Sequence, residues 1–206
     1  MVYKISVIIP CHNSQLTLER CIDSIINQTF GFENIELILY DNGSSDYTRN
    51  IIQSYSDKFT NIVPLYSDID SGFPGTGRGK GIEVASSEYI MFIDSDDEYD
   101  SQICEKLYNA IINEKADIVS CNKMSIDGDK VIKENTFVPS KFLKNGQFII
   151  TGEDIILFKD VAVWNKIYKK EIISKNNLKF LENSTADDFV FAISYFLKSK
   201  KLIYLS

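Results

Sequence analysis

The chain has 206 residues, of which 44% are hydrophobic and 25% are charged, and its formal net charge is −7. This length and composition suit one globular domain whose core needs no disulfide or structural zinc ion for stability. The acidic balance excludes a broad nucleic-acid-binding surface, which requires a clustered basic face, but it permits a small anionic ligand held by a metal ion and a few basic groups.

Apolar runs predict five strands in the first part of the chain, and amphipathic spacing predicts helices between them. The strands are predicted at residues 5–10, 35–40, 62–66, 89–93 and 118–121, and the main helices at residues 18–26, 48–59 and 103–111. We expect Asn13 or Ser14 to cap the first helix and Asp46 to cap the second. This alternation is typical of an α/β fold with a mostly parallel central sheet flanked by helices.

The residues after Asn122 have a different character. A hairpin is predicted over residues 124–134 with its turn at Gly128, and further strand and helix signals lie at residues 161–168 and from Thr185 onward. No linker rich in Pro, Gly or Ser and no internal repeat is visible in the sequence. We therefore predict a single domain over residues 1–206, in which a smaller half (123–206) is added to the first half (1–122).

The cysteines and the single histidine limit the cofactors and the compartment. Cys11, Cys21, Cys104 and Cys121 form no CxxC pair and, with His12 as the only histidine, match no zinc-ligand pattern. Scattered free thiols are typical of a reducing compartment, no apolar run approaches the length of a membrane span, and the first residues do not resemble a signal peptide. These features predict a cytoplasmic protein and leave open peripheral attachment to the inner face of a membrane through a partner.

Polar clusters follow three of the predicted strands, at residues 10–13, 41–46 and 94–97. Because ligands of parallel α/β sheets bind outside the carboxyl ends of the strands, we expect these clusters to share one edge. The last cluster holds the carboxylates of Asp94, Asp96 and Asp97, which are the oxygen ligands that Mg²⁺ or Mn²⁺ takes. From the residues alone, a solvated turn that caps a helix explains this cluster equally well.

The glycine-rich residues 71–81 match neither the GxxxxGK[ST] nor the GxGxxG phosphate-binding pattern. We predict a flexible loop there, followed by a short helix that ends near Ala85. Arg78 and Lys80 stand near the start of that helix, where they suit contact with a diphosphate. A plain surface loop fits the same spacing nearly as well.

The residues next to them in the sequence give three further features ordinary structural explanations. Asp187 and Asp188 are typical of helix caps, His12 of a hydrogen-bonded loop residue, and Trp164 of a core residue.

Five segments in this order resemble the family 2 glycosyltransferases of the GT-A fold: VIIPCHN, LYDNGSSD, GRGKGIEVASSEYIMFIDSDD, VWNKIYKKEII and the Asp187-Asp188 pair. Each motif is weak alone, but their order over nearly the whole chain is specific. The resemblance implies an inverting transfer of a sugar from a nucleotide-diphosphate donor, expected to be a UDP-sugar, to a hydroxyl of a saccharide or other cell-surface polymer. It also implies Mg²⁺ or Mn²⁺ as the cofactor and no nucleic-acid partner.

The resemblance further implies a role for each matching residue. The donor-binding residues are Pro10, Asn13, Asp41, Asn42, Arg78, Asp94 and Ser95. Asp41 is expected at the base or ribose and Arg78 near the diphosphate. The metal ligands are Asp94 and Asp96, of which Asp96 is the expected direct ligand. The catalytic base is Asp188, and the acceptor-side residues are Trp164 and Asp187.

Some positions depart from the family's pattern. Asn42 stands where a second Asp is usual, which removes a charge near the base. Gly77 and Gly79 replace the usual Ala and Asn around Arg78, which loosens that helix start. Many relatives continue with helices that close the acceptor site or assist membrane association, so we expect a chain truncated after Ser206.

Two alternatives stay open. A sugar-nucleotide pyrophosphorylase uses a similar sheet and acidic metal site, but it usually carries a Gly-rich, basic signature directly after its first strand, where this chain has PCHNSQ. A nucleotide-sugar-binding module without catalytic activity would show the same motifs as the enzyme. Release of nucleotide from UDP-, GDP- or CMP-sugars in the presence of Mn²⁺ discriminates the enzyme from the module.

Overall fold

The computed structural model describes residues 2–127, 130–134, 138–144 and 146–206, and eleven strands lie within them. They are β1 (Ile5–Cys11), β2 (Ile35–Asn42), β3 (Ile62–Ser67), β4 (Tyr89–Phe92), β5 (Ile118–Cys121), β6 (Lys123–Asp127), β7 (Lys130–Glu134), β8 (Leu143–Lys144), β9 (Gln147–Thr151), β10 (Lys166–Lys169) and β11 (Lys201–Leu205). The α-helices are α1 (Leu18–Ile26), α2 (Thr48–Ser56), α3 (Pro74–Val84), α4 (Ile103–Asn113), α5 (Lys170–Lys175) and α6 (Asp187–Phe196). No helix in these described ranges is long and apolar enough to cross a membrane.

One sheet dominates the fold, with the strand order β3-β2-β1-β4-β10-β5-β11-β9-β8. The first four of these strands are parallel, as predicted, whereas β10 runs antiparallel to both β4 and β5. Strand β10, from the second half of the chain, therefore lies inside the sheet between two strands of the first half. The backbone groups along the facing edges of β4 and β5 need hydrogen-bond partners, and β10 supplies them to both strands.

Strands β1 and β2 are covered by other elements on both faces of the sheet. Side chains alternate along β1, so that Val7 and Ile9 pack with α1 and α4 on one face, while Ile8 packs with the aromatic residues near α6 on the other. Every residue of β1 and β2 is buried. This two-sided burial explains why the sequence shows continuous apolar runs instead of an alternating pattern.

The structure corrects both helix-cap predictions. Helix α1 begins at Leu18, so neither Asn13 nor Ser14 is its N-cap; the Ser14 carbonyl instead accepts a hydrogen bond from the Leu18 N–H at 2.9 Å. Helix α2 begins at Thr48, so its N-cap is Tyr47 and not Asp46, although Oδ1 of Asp46 accepts a hydrogen bond from the Thr48 N–H at 2.9 Å.

The predicted hairpin is confirmed in its two strands. Strands β6 and β7 pair antiparallel as a separate two-stranded sheet, and Gly128, the predicted turn residue, lies outside the described residues.

The glycine-rich stretch is not the predicted flexible loop, because most of it lies in α3. Pro74 occupies the first turn of this helix, where its fixed φ angle and missing N–H are tolerated. A Cβ on Gly81 would lie 2.4 Å from Cγ2 of Ile8 in β1, whereas a Cβ on Gly79 would meet nothing within 4 Å. Glycine at position 81 therefore lets α3 lie against the sheet, and this close packing outweighs the poor helix propensity of glycine.

This contrast predicts opposite effects for the same substitution at two helical positions. Gly81→Ala is expected to destabilise the fold by about 1–3 kcal/mol, because Ile8 is fully buried and cannot move aside freely. Gly79→Ala is expected to stabilise it by about 0.5–1 kcal/mol through improved helix propensity. Urea denaturation followed by circular dichroism measures both, and a Gly81→Ala variant as stable as Gly79→Ala would contradict the packing argument.

Candidate active site

Two cavities meet at the carboxyl ends of the parallel strands, where the polar clusters were expected. The smaller has a volume of about 300 Å³, and its polar lining comes from His12, Asn42, Asp70, Arg78, Asp94, Ser95 and Asp96. The larger, of about 620 Å³, extends past Tyr99 and Trp164 towards β6. Asp96 lines both cavities, so the acidic turn after β4 contributes to each of them.

Arg78 joins three carboxylates that are far apart in the sequence. Its Nη2 donates to Oδ1 of Asp94 at 2.5 Å, and its Nη1 donates to Oδ2 of Asp187 at 2.9 Å and to Asp188. The guanidinium lies over the Phe180 ring at 5.5 Å, and the residue is only 2% exposed. Arg78 comes from α3, Asp94 from the end of β4, and the other two aspartates from the first turn of α6.

Local sequence explains how α6 comes so close to α3. A Cβ on Gly75 would lie 2.4 Å from the Leu181 carbonyl oxygen and 3.0 Å from Oδ2 of Asp187, so glycine is needed for this approach. Acidic residues also suit the first turn of α6, where the helix dipole favours negative charge. Asp187 and Asp188 are therefore placed by the helix start and held by Arg78.

Burial and the charges of this cluster shift the pKa values of Asp188 and Arg78. Burial, together with the carboxylates of Asp187 and Asp94, raises the pKa of Asp188 to about 6, although Arg78 and the backbone of Val163 act in the opposite direction. Burial by itself lowers the pKa of Arg78, but the three carboxylates outweigh it and raise that pKa. A carboxylate with a pKa near neutrality is suited to accept a proton.

The acidic turn after β4 presents its side chains in different directions. Asp94 is held by Arg78, and Oγ of Ser95 lies 2.7 Å from Oγ of Ser14. Burial and the charges of Asp94 and Asp96 raise the pKa of Asp97 to about 6. Asp96 is exposed, and its carboxylate has no ion-pair partner among the described residues. Within that part of the chain, no group of three or more His, Cys, Asp or Glu side chains surrounds a common metal position.

Asp41 and Asn42, at the end of β2, point to opposite faces of the sheet. Asn42 faces the smaller cavity, where its Nδ2 donates to Oδ1 of Asp70 at 3.1 Å. Asp41 is fully buried on the opposite side, where Arg49 Nε donates to its Oδ2 at 2.8 Å, and it lines neither of the two cavities. Successive residues of a strand point to opposite faces, so only one of the two reaches the cavity.

The loop after β1 forms the other wall of the smaller cavity. Pro10 and His12 line it, and the ring Nδ1 of His12 lies 2.9 Å from the Asn42 carbonyl oxygen, in line with its prediction as a hydrogen-bonded loop residue. Asn13 has a positive φ of 47°, and its Oδ1 accepts a hydrogen bond from the Ser45 N–H at 2.9 Å. Asn13 therefore fixes the loops around the cavity without lining it.

Two lining residues were not predicted from the sequence. Asp70 and Phe73 line the smaller cavity, and Oδ2 of Asp70 lies 3.7 Å from Nε2 of His12. Asp70 belongs to no strand or motif, and Phe73 lies in the glycine-rich stretch just before α3, where no pattern marked it as a site residue.

Trp164 and Lys80 also differ from the expectations based on their neighbours. Trp164 is half-buried and lines the larger cavity, with Lys123 Nζ 5.3 Å from the centre of its ring, so it is not simply a core residue. Lys80 is exposed and pairs with Glu83 at 3.0 Å, so it does not accompany Arg78 into the smaller cavity.

A sequence profile of glycosyl transferase family 2 matches residues 6–176. The chain belongs to this family. It is 32% identical over 204 residues to a poly(ribitol-phosphate) beta-glucosyltransferase of Bacillus spizizenii, a match that covers 97% of this chain and 30% of that protein. It is also 32% identical over 205 residues to the poly(ribitol-phosphate) beta-N-acetylglucosaminyltransferase TarP of Staphylococcus aureus, covering 96% of this chain and 58% of TarP.

A solved structure confirms the predicted GT-A fold. The crystal structure of S. aureus TarS 1-349 in complex with UDP superimposes with a TM-score of 0.82 at 25% identity, over 98% of this chain and 58% of that one. This chain thus spans between 30% and 58% of the length of these relatives.

Only some of the residues in the family 2 motifs come together at the site. The structure brings Asp94, Arg78, Asp187 and Asp188 into one cluster, whereas Asp41 faces away from it. Neither Asp187 nor Asp188 lines either cavity. Asp187 is only 3% exposed, so its predicted place on the acceptor side is replaced by a pairing role with Arg78, whereas the Asp188 side chain is 28% exposed. The donor contact of Arg78 and the metal ligation by Asp94 and Asp96 stay predictions.

Proposed function

We propose that this chain is the donor-binding and proton-accepting domain of an inverting glycosyltransferase that uses a UDP-sugar and a divalent cation. One observation supports this most: Arg78 holds Asp188, whose pKa is raised to about 6, beside the acidic turn that both cavities share. Family membership favours sugar transfer over the pyrophosphorylase alternative.

The smaller cavity is the proposed donor site. His12, Asn42 and Asp70 give its lining hydrogen-bonding groups that suit a nucleoside, and Asp94 and Asp96 give it carboxylates that suit a cation bound to the diphosphate. The TarS structures with UDP and with UDP-GlcNAc, each 25% identical to this chain, support a uridine nucleotide. Because Asp41 is buried away from this cavity, we assign contact with the nucleoside to Asn42 and Asp70 instead.

The residues present fit a divalent cation bound together with the donor. Magnesium commonly takes one or two carboxylates and completes its shell with water and substrate phosphates. Asp96 offers an exposed carboxylate at the junction of the cavities, while Arg78 occupies Oδ1 of Asp94. A Mg²⁺ or Mn²⁺ ion bound there would stabilise the negative charge of the departing diphosphate.

The larger cavity is the proposed acceptor site, with Trp164 as part of its wall. The names of two relatives support a poly(ribitol-phosphate) or a similar saccharide polymer as the acceptor. Asp188 takes the proton from the acceptor hydroxyl as its oxygen forms a bond to the anomeric carbon. The bond between that carbon and the diphosphate breaks on the opposite face, which inverts the configuration.

UDP binding tests the proposed donor and metal sites. Isothermal titration with UDP is expected to show binding that Mn²⁺ strengthens and EDTA weakens, because Asp96 holds the cation against the phosphates. Asp96→Asn should lower the Mn²⁺-dependent affinity by roughly tenfold or more, which corresponds to about 1.4 kcal/mol. Asp97→Asn is the matched control, since it makes the same change one residue away.

Two results would count against this assignment. Tight UDP binding by Asp96→Asn that Mn²⁺ still strengthens would remove Asp96 as the ligand. UDP binding by the unchanged chain without nucleotide release from UDP-glucose or UDP-GlcNAc, with or without a poly(ribitol-phosphate) acceptor, would favour the inactive binding module.

A further inference from the structure

A fully buried lysine lies beside the two cavities and has no part in the reaction described so far. Lys166 begins β10, which enters the sheet between β4 and β5, and its side chain is 0% exposed. Its Nζ lies 3.4 Å from Oδ2 of Asp160, which is also buried. A buried ammonium is costly unless it is paired, and burial lowers the pKa of Lys166 to about 8.

This pair closes the loop formed by residues 160–165, which we call the 160–165 loop. Lys166 Nζ donates to the Ala162 carbonyl oxygen at 2.6 Å and to Oδ1 of Asn165 at 2.7 Å. Asn165 Nδ2 donates in turn to Oδ2 of Asp160 and to the Cys121 carbonyl oxygen, both at 2.7 Å. The loop is therefore fixed from inside by the Lys166 ammonium, one carboxylate and one amide, and a second ammonium, Lys123 Nζ, lies 3.9 Å from Oδ1 of Asp160.

The outer side of the same loop contacts both parts of the proposed reaction. Trp164 lines the larger cavity, together with Asp96. The backbone of Val163 faces the Asp188 carboxylate and lowers its pKa. A movement of the loop would therefore change the wall of the acceptor site and the surroundings of the base together.

Stability alone is a weak reason for such a pair. Replacing buried ion pairs by apolar residues of similar volume is often neutral or stabilising, whereas removing one partner leaves a buried charge. The hydrogen bonds and the ion pair of the Lys166 ammonium all fall on one short loop, and that loop forms a wall of the site. Their geometry points to a local role for the pair.

We propose that the buried Lys166–Asp160 pair is a positioning device that holds Trp164 and the Val163 amide in place for the acceptor side of the reaction. The kinetic part of this inference rests on the proposed function. The structural part does not, because Trp164 is the only tryptophan in the chain and its fluorescence reports directly on the loop.

The test compares three variants of the full chain. Lys166→Met removes the ammonium, and Asp160→Asn removes the carboxylate charge with almost no change of shape, which serves if the first variant does not fold. Lys201→Met is the matched control, because Lys201 begins β11 and is paired with Glu114 at 2.9 Å, away from the loop. Thermal unfolding selects the variants that remain folded.

We expect Lys166→Met and Asp160→Asn to show a red-shifted Trp164 emission and stronger quenching by acrylamide, while Lys201→Met resembles the unchanged protein. With UDP-glucose or UDP-GlcNAc as donor, kcat should fall by about tenfold or more, because the acceptor and the base lose their alignment. The KM for the donor should stay within about twofold, since the smaller cavity is unaltered.

Unchanged fluorescence in the folded Lys166→Met and Asp160→Asn variants would overturn the proposal. An equal change in Lys201→Met would also overturn it, because the effect would then be a general loosening of the sheet. A changed emission with normal kcat would overturn the role in the reaction. If the unchanged protein transfers no sugar to any acceptor, the proposed function fails, and the fluorescence comparison still decides whether the pair positions the loop.

Discussion

Replacing Asp188 by asparagine is expected to lower kcat by roughly 10²- to 10⁴-fold while leaving the affinity for UDP nearly unchanged. The amide keeps the shape of the side chain and an oxygen that can accept from Arg78, but it cannot take a proton from the acceptor. Asp188 is not among the residues that line the smaller cavity, so donor binding should not depend on it. Steady-state nucleotide release measures kcat, and isothermal titration measures the affinity for UDP.

Asp187→Asn is the matched control for this experiment. Asp187 pairs with the same Nη1 of Arg78 but is buried, so its substitution should retain most of the turnover. Turnover by Asp188→Asn equal to that of the unchanged protein would remove Asp188 as the base.

The pH dependence gives a second measurement of the same carboxylate. Because Asp188 must be ionised to accept a proton and its pKa is raised to about 6, kcat/KM should fall on the acid side of that pH. The neighbouring charge of Asp187 raises this pKa, so Asp187→Asn should move the acid limb to lower pH. The pKa of Asp97 is also raised to about 6. If Asp97→Asn abolished the acid limb, the titrating group would be Asp97 and not Asp188, which would contradict the prediction.

The raised pKa of Asp188 makes stability depend on pH in the opposite direction from activity. The folded protein binds a proton at Asp188 more readily than the unfolded chain does. Its contribution to stability is therefore present below the ordinary pKa of an aspartate and is lost as the pH rises through about 6. Activity and this contribution to stability change in opposite directions over the same range.

The strands of the first half were predictable because β1, β2 and β4 are short apolar runs covered on both faces. The position of β10 was not, because residues 166–169 carry two lysines and a signal too short to specify a neighbour or a direction. The end of helix α3 near Ala85 was predicted, but its start at Pro74 was placed too late, because glycine opposes helix formation locally and only contact with β1 shows why it is tolerated.

The location of the candidate site could be predicted from the sequence, but the ion pairs between its side chains could not. The rule that ligands bind at strand ends placed Asp94, Asp96 and Asn42 at one edge, and the structure agrees. The orientation of Asp41 could not be foreseen, since a strand buried on both faces gives no sign of which face meets the ligand. The pairing of Arg78 with α6 joins residues 109 and 110 positions apart, a contact that no local pattern encodes.

Replacing Arg78 by methionine is expected to destabilise the fold by roughly 3–5 kcal/mol at pH 7.5, because it leaves three carboxylates without their cation in a largely buried site. Arg20→Met is the matched control. Arg20 forms an exposed pair with Glu98 at 2.7 Å, and such surface pairs contribute about 1 kcal/mol or less. Urea denaturation followed by circular dichroism measures the free energy of unfolding of both variants.

The loss in Arg78→Met should depend on pH in a way that a simple packing defect would not. Without the guanidinium, the pKa values of the clustered carboxyls rise in the folded state, so protonation stabilises the folded variant at low pH. The difference in stability from the unchanged protein should therefore be smaller at pH 5 than at pH 7.5, and adding Asp187→Asn should restore part of the loss by removing one buried charge. An Arg78→Met variant that is equally destabilised at both pH values, and is not rescued by Asp187→Asn, would show that Arg78 acts through packing. The account in which Arg78 pairs electrostatically with these carboxylates, and thereby lowers the pKa of Asp188, would then lose its basis.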